Sequence, residues 1–333
     1  MTSSWRRGRT SGRKSVVWVQ PSHSLERTSP ETARPSDNSI RQRGGLIEST
    51  PFISWLGFIR AAYPRRECVS LAGTFGYGEG QSMASQAEIN RLKKQVAESS
   101  HILDHEGLVD FHGHVSARIP GTNQMLIKPV LKAHNQVTAK DIVVVDLEAY
   151  ASGTGSQWNP SLQKGRTIVA PLPPREAMIH VAIMLARPDV NSVVHTHQII
   201  ATSIGAGNTP IIPLYNQSIP FAPETPIFPH PRLITTREDG EAVADCLGDR
   251  TGVLLRGHGV VVVGESIDHA VTNTIYLERA AIMQLIATIV GTPTPLPDGY
   301  AEEWLPDWTR RASHAYEYFK SLVPSLNGSK GKG

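Results

Sequence analysis

Three short stretches of this chain place imidazoles where they could hold a metal ion. In VVHTHQ, His195 and His197 stand two residues apart. Alternate side chains of an extended segment share a face, so both rings point one way and Thr196 points the other. Two imidazoles at that spacing can hold one divalent ion at N–metal distances of about 2.1 Å. His258 lies in LLRGHGVVVVG, bracketed by glycines inside a β-branched run whose pattern predicts one strand from Val253 to Val263. Glycine weakens a strand and marks the close approach of a ligand or another backbone. If that strand neighbours the one carrying His195 and His197, three imidazoles converge and leave a coordination position open, the pattern of a catalytic metal site. Spacing alone does not decide the matter. With 13 histidines in 333 residues, chance supplies about half an H-x-H per chain, and His112 and His114 form a second one.

Glu176 is the next candidate. It falls in the first turn of a helix predicted from Arg175 to Ala186, opened by the prolines of 171–174 and ended by Arg187 and Pro188. A carboxylate there favours the helix dipole, which is explanation enough without chemistry. His180 follows one turn later on the same face, so both side chains could look into one pocket. Near a metal, Glu176 would ligate at rest or act as general base once substrate displaces it.

The elements that must position these groups begin at Met83. Ser85 and Glu88 make a capping box, and Ile89, Leu92 and Val96 follow at helical spacing to about His101, before Gly107. HVSARI, QMLIKPV and DIVVVDL read as strands separated by turn residues, and Val193 to His197 as another. Ser266 caps a long helix ending near Gly291, with Ile267, Ala270, Val271, Thr274, Leu277, Ala281 and Leu285 facing inward, and Tyr300 to Leu322 is predicted helical. Cys246, in AVADCLG, reads as a small hydrophobe on an apolar helix face. Phe111 and His112, just before a strand, could line the pocket of a ring-shaped substrate, but an aromatic at that place reads first as core.

Composition sets the limits. The chain is 40% hydrophobic and 6% aromatic with a formal charge of +3, and its pI near 8.8 invites a nucleic-acid reading. Residues 1–82 hold 12 of the 33 basic and 6 of the 30 acidic residues, which leaves 21 basic and 24 acidic in the remainder. The basicity therefore belongs to the N-terminal quarter, and no nucleic-acid partner is expected. That quarter lacks apolar periodicity and reads as a disordered extension, an upstream stretch from a mis-set start, or a targeting segment. No uncharged apolar run approaches the roughly 18 residues of a membrane span, so no membrane association is expected. Two cysteines, Cys68 and Cys246, make neither a disulfide framework nor a thiolate metal cage and suit a reducing, cytoplasmic setting, or a mitochondrial one if 1–82 is a presequence. The economical division is one α/β domain over 83–325 and a flexible tail, 326–333.

GHVSAR, PPREAMIHVAIMLARPDVNSVVHTHQ and LLRGHGVVVVGESIDHAVTNTIYLERAA, in that order, resemble the class II aldolase/adducin family over about residues 85 to 290. The resemblance implies a three-layer α/β/α fold with a central, mainly antiparallel sheet and a homotetramer with active sites between subunits. It also implies that His195, His197 and His258 ligate the metal and that Glu176 is the catalytic acidic residue. Adducin-like members lack these ligands and act as scaffolds, so their retention here argues for an enzyme. Sugar-phosphate aldolases of the family carry G-N-x-S in the first block and two serines before the acidic residue. This chain has Gly113-His114-Val115-Ser116 and Pro174-Arg175 instead. Proline lacks even the backbone donor, whereas arginine and histidine suit a carboxylate. The GHVSAR form resembles members acting on non-phosphorylated acids, including decarboxylases of ring-derived hydroxy acids. Tyr215 falls eighteen residues after His197, where the aldolases resemble one another in a catalytic tyrosine, or it simply packs there. Arg118 is placed near the substrate by the same resemblance, or salt-bridges at the strand end.

The reading that follows is a divalent-metal-dependent carbon–carbon lyase, first of all a decarboxylase of a small hydroxylated or oxo carboxylic acid. His195, His197 and His258 hold the metal, Glu176 and Tyr215 are catalytic, and His114, Ser116, Arg118 and Arg175 bind substrate. Zinc suits three imidazoles best, with manganese, iron or cobalt as alternatives. An aldolase cleaving a hydroxy-oxo acid or sugar-derived substrate, a non-catalytic adducin-like module and an Fe(II) oxygenase are the competing readings.

Overall fold

A computed structural model describes residues 83–153 and 172–326. The basic stretch 1–82, Pro171 and most of the expected tail lie outside the described residues. Ser85 opens the first helix as expected: its hydroxyl accepts the Glu88 amide at 3.2 Å, and α1 runs Gln86–His105. The strands β1 (His114–Arg118), β2 (Gln124–Ile127) and β3 (Val143–Asp146) follow in the three expected runs. Asp146 then caps a short helix, α2 (Leu147–Ala151). Helix α3 (Ala177–Ala186) starts two residues later than its prolines suggest, because Glu176 takes a non-helical conformation in front of it. After β4 (Ser192–Thr196) comes α4 (Ile199–Ala206), whose sequence IIATSIGA carries no helix signal strong enough to foresee. A two-residue strand β5 (Ile227–Phe228) and α5 (Arg237–Leu247) lead into the central hairpin.

That hairpin corrects one expectation. Val253 to Val263 is not one strand but two, β6 (Gly252–Leu255) and β7 (Gly259–Gly264), paired antiparallel with Leu255 opposite Gly259. Arg256, Gly257 and His258 form the turn, and Gly257 supplies the positive φ (+71°) it needs. His258 therefore sits on a hairpin tip and not within a strand. The chain closes with α6 (Ile267–Val290), capped by Ser266, and α7 (Tyr300–Leu322).

The seven strands form one sheet in the order β3-β2-β1-β4-β7-β6-β5, antiparallel throughout except for β5 beside β6. Side-chain alternation splits its faces. Met125, Ile127, Val193, Val253, Val261 and Val263 pack with α2, α3 and α5. Leu126, Val115, Ala117 and Val194 pack with α1, α6 and α7, while Leu254, Val260 and Val262 join α4 and α6. Both faces are thus covered by helices, and the expected three-layer arrangement is present. The strands at its centre read as unbroken valine runs because neither face meets water, and each such side chain buried contributes roughly 1.5–3 kcal/mol. One inward assignment on α6 fails: Leu285 is exposed, together with Ile282, Ile286, Ile289 and Val290. No helix among the described residues is long and apolar enough to cross a membrane.

Candidate active site

The ends of β1 and β4, the β6–β7 turn and the start of α3 meet on the α3 side of the sheet. β4 pairs with β7, as the three-imidazole reading requires, and His195 lies opposite Val261 on one side and His114 on the other. Gly259 makes the approach possible. A Cβ there would stand 2.5 Å from the Thr196 carbonyl oxygen and 2.7 Å from His197 Cδ2, so the glycine next to His258 is what lets the hairpin lie against the histidines.

Glu176, His195, His197 and His258 each offer a ligand atom, and all four atoms lie within 4.8 Å of one another. His195 Nε2 is 3.1 Å from His197 Nε2 and 3.8 Å from Glu176 Oε2, and His258 Nε2 is 3.4 Å from Glu176 Oε1. Four ligands around one ion at about 2.1 Å stand about 3.4 Å apart in a tetrahedron, so these separations suit a single divalent ion. Two further features fit. The Val260 carbonyl can only accept, so at 2.9 Å it takes the proton of His195 Nδ1 and leaves Nε2 a bare lone pair aimed at the cluster. His258 is almost fully buried, yet neither of its ring nitrogens has a hydrogen-bond partner among the described residues, which suits a ring whose nitrogen serves as a metal ligand.

Glu176 is not spent on its own helix. It occupies the N-cap position but its side chain makes no cap hydrogen bond; instead Oε1 accepts the Ile234 amide at 2.9 Å. Burial pushes this carboxyl up, but His258, His195 and the Ile234 amide around it outweigh that and bring the pKa to about 2. The His258 contact, at 3.4 Å, lacks hydrogen-bond alignment. Burial holds His195 down at about 3 and lowers His197 as well. Both rings are thereby held towards the neutral form, the one that binds metal.

Behind this cluster runs a buried chain of polar groups. The His114 ring lies 5.1 Å from the His195 ring. His114 Nδ1 is 2.6 Å from His180 Nε2, and His180 Nδ1 is 2.7 Å from Ser116 Oγ. Desolvation keeps both rings neutral, His180 at about 3. Gly113, at φ +98°, sets the start of β1; a side chain there would collide with Val109 and the His195 carbonyl. On the outer side His112, held by Asp110 at 2.6 Å to its backbone nitrogen, stacks on His197 with ring centroids 5.4 Å apart.

Four expected site residues stand elsewhere. Ser116 is fully buried and turned to His180, so it reaches the cluster only through His180 and His114. Arg118 is spent on main-chain carbonyls at the end of α3, with Nη2 2.6 Å from the Met184 oxygen and Nε 3.2 Å from that of Val190; it is a structural clamp. Arg175 is exposed beside Glu176. Tyr215 packs on the α6 side with Leu277, Phe221 and Tyr276, its hydroxyl buried without a partner among the described residues and pushed by burial to about 12. It is not brought to the histidines. Phe111, expected in the core, is 62% exposed, whereas Cys246 is buried as expected.

Sequence reasoning missed Lys128, the one buried lysine among the described residues. Its signal was a lysine closing an apolar strand, MLIK, immediately before a proline.

The family model described as the class II aldolase and adducin N-terminal domain matches residues 94–285. A 3,4-dihydroxyphthalate decarboxylase of Arthrobacter keyseri is 32% identical over 227 residues, 65% of this chain and 86% of that protein. An L-fuculose phosphate aldolase of Escherichia coli is 28% identical over 217 residues, 63% of this chain and 89% of the aldolase. Among solved structures, the L-fuculose 1-phosphate aldolase from Glaciozyma antarctica superposes with a TM-score of 0.59 at 21% identity, covering 76% of this chain and 96% of that one.

Proposed function

The chain belongs to the class II aldolase and adducin family, and we propose that it is a divalent-metal-dependent carbon–carbon lyase, a decarboxylase of a small hydroxylated or oxo carboxylic acid. The observation that carries this reading is the cluster of three imidazoles and one carboxylate around a common centre. His195, His197 and His258 would hold the ion, zinc first among the candidates. When bound, the ion supplies a Lewis acid for a substrate oxygen next to the carbon that loses CO2. Glu176, 3.4 to 3.8 Å from two of the ligands, moves a proton between substrate carbon and solvent once substrate displaces it, and the Ile234 amide holds its Oε1 in place. His114 orients the substrate from the neighbouring strand, its ring held by His180.

Decarboxylation is favoured over sugar-phosphate cleavage because the phosphate-holding serines have no counterpart. Pro174 has no amide hydrogen to offer, and Arg175 is exposed. The relative named a dihydroxyphthalate decarboxylase supports the same choice. Aldol cleavage is the second reading, supported by the similarity to an L-fuculose phosphate aldolase. A homotetramer belongs to the proposal, and the exposed apolar stripe Ile282, Ile286, Ile289 and Val290 on α6 supports a covering partner.

Elemental analysis of the purified chain, followed by a screen of hydroxybenzoates and oxo acids for CO2 against aldehyde or pyruvate release, tests the proposal. We expect about one divalent ion per chain, CO2 release, and loss of both in His195→Ala. Aldehyde release would select the second reading, and a metal-free protein whose His195→Ala variant is indistinguishable from the parent would reject both.

A further inference from the structure

Helix α4 begins two residues after His197, and its own sequence does not cap it. Gln198, at the N-cap position, makes no side-chain cap hydrogen bond; its Oε1 is turned back to accept the Thr196 hydroxyl at 2.9 Å. The Thr202 amide reaches the Gln198 carbonyl at 3.1 Å, so the amides ahead of it need acceptors from outside the helix. Glu278, on α6, supplies them. Its Oε1 accepts the Ile200 amide at 2.8 Å and its Oε2 the Ala201 amide at 2.9 Å. Ala201 is fully buried, where an amide that loses its partner is not rescued by water. The neighbouring Arg279 pairs with Glu106 at 3.3 Å, which leaves the Glu278 charge directed at the end of α4. A carboxylate with both oxygens on the amides of one helix end is a strong cap, and it offsets the positive end of the helix dipole.

The place where α4 starts gives this cap its importance. His195 lies within β4, paired to β1 on one side and β7 on the other. His197 lies just past the strand, since pairing with β7 ends at Thr196 opposite Val260. Its position is therefore set by what holds the chain on either side of it. On the strand side that is the ladder and the close approach of Gly259; on the helix side it is Glu278. The positive end of α4 also falls two residues from a group that would hold a dication, an arrangement that opposes the ion unless that end is neutralised.

We propose that Glu278 is a positioning residue of the metal centre. From the α6 side of the sheet it fixes the first turn of α4, and through that turn the exit of β4 and the His197 ring, while its charge offsets the positive helix end beside the ion. The inference rests on the reading of His197 as a metal ligand and is independent of which carbon–carbon bond the centre breaks.

Cobalt(II) binding to the full chain tests this, with affinity read by chelator competition, coordination by the visible d–d spectrum, and folding by melting curves of the metal-free protein. Glu278→Gln keeps the side chain's shape but gives up its charge and one of its two acceptors. It should bind cobalt about 10–100-fold more weakly than the parent, with a spectrum altered in position or intensity. Should it not fold, Glu278→Asp, charged but one methylene short of the amides, takes its place with the same expectation. The control is Ser85→Ala, which removes the cap of α1. The neighbouring Ala84 amide bonds the Pro120 carbonyl at 3.1 Å, beyond the end of β1 opposite His114. This variant should melt about 1–8 °C lower and keep the parent's cobalt affinity within about twofold, with an unchanged spectrum. Parental affinity and spectrum in the folded Glu278 variant overturn the inference and leave Glu278 a helix cap. Equal weakening by Ser85→Ala does so too, because the effect would then be general destabilisation. A parent that binds no cobalt refutes the reading of His197 as a ligand, and the inference falls with it.

Discussion

Gly259→Ala adds one methyl group at the seam between β4 and β7. The new Cβ would stand 2.5 Å from the Thr196 carbonyl oxygen, 2.7 Å from His197 Cδ2 and 3.2 Å from His195 Cε1. Ordinary contact begins near 3.4 Å, so the strands must part locally by about 0.9 Å, a gap that forfeits much of the contact energy across it. Overpacking of this kind costs about 1–3 kcal/mol, a fall in melting temperature of about 2–12 °C. The larger effect falls on the centre. Parting the strands stretches the 2.9 Å bond from His195 Nδ1 to the Val260 carbonyl, and loss of such an outer contact costs about 10–100-fold in metal affinity. Zinc affinity by chelator competition, with melting curves of the zinc-free protein, reads both. Gly252→Ala is the control: on the other strand of the hairpin a Cβ meets nothing closer than 3.4 Å, and both quantities should hardly move. Unchanged zinc affinity in Gly259→Ala, or equal damage from Gly252→Ala, would refute the argument that close strand approach builds the centre.

Two other consequences are open to measurement. Burial holds His134 and His180 at about 3 in the fold against 6.5 for the free side chain; the stability each gains as a neutral ring is complete above pH 6.5 and is lost as pH falls from there towards 3. At about 1.4 kcal/mol per unit and group, the urea midpoint should drop markedly between pH 7 and pH 4.5, and His134→Gln should flatten that drop; coincident midpoints would contradict the neutral, buried state. Arg118→Ala should cost about 1.5–3 kcal/mol, the value of hydrogen bonds to a charged donor, while KM and kcat of the folded enzyme stay as they were; a raised KM would restore its assignment to substrate.

The histidine part of the candidate site was legible because strand geometry is periodic. His195 and His197 share a face whatever surrounds them, and a glycine beside His258 announced that something comes close. The turn at 256–258 was harder, since β6 and β7 are both buried on two faces and run together as one apolar stretch; Gly257 was the signal for a bend. Glu176 looked equally suited to its own helix, and only the Ile234 amide, 58 residues away, turns it elsewhere. The arginines could not be sorted from sequence at all. Whether a guanidinium finds a ligand or a row of carbonyls, as Arg118 does, depends on what tertiary packing leaves exposed at the end of α3. Lys128 escaped notice for a related reason: a lysine at a strand end ordinarily carries its charge out to water, and nothing local says that this one does not.

Strand β4 carries two functions on opposite parities. Its odd positions, Val193 and His195, belong to the α3 side, and Val194 packs under α6. Loss or gain of a single residue between Ser192 and His195 would therefore exchange the faces, sending both imidazoles beneath α6 and valines towards Glu176. Insertions that a loop absorbs at little cost would here abolish the centre and the core together. Length in this strand is under stricter control than the identity of its valines, and variation among working sequences should appear there as substitution and never as a change in spacing.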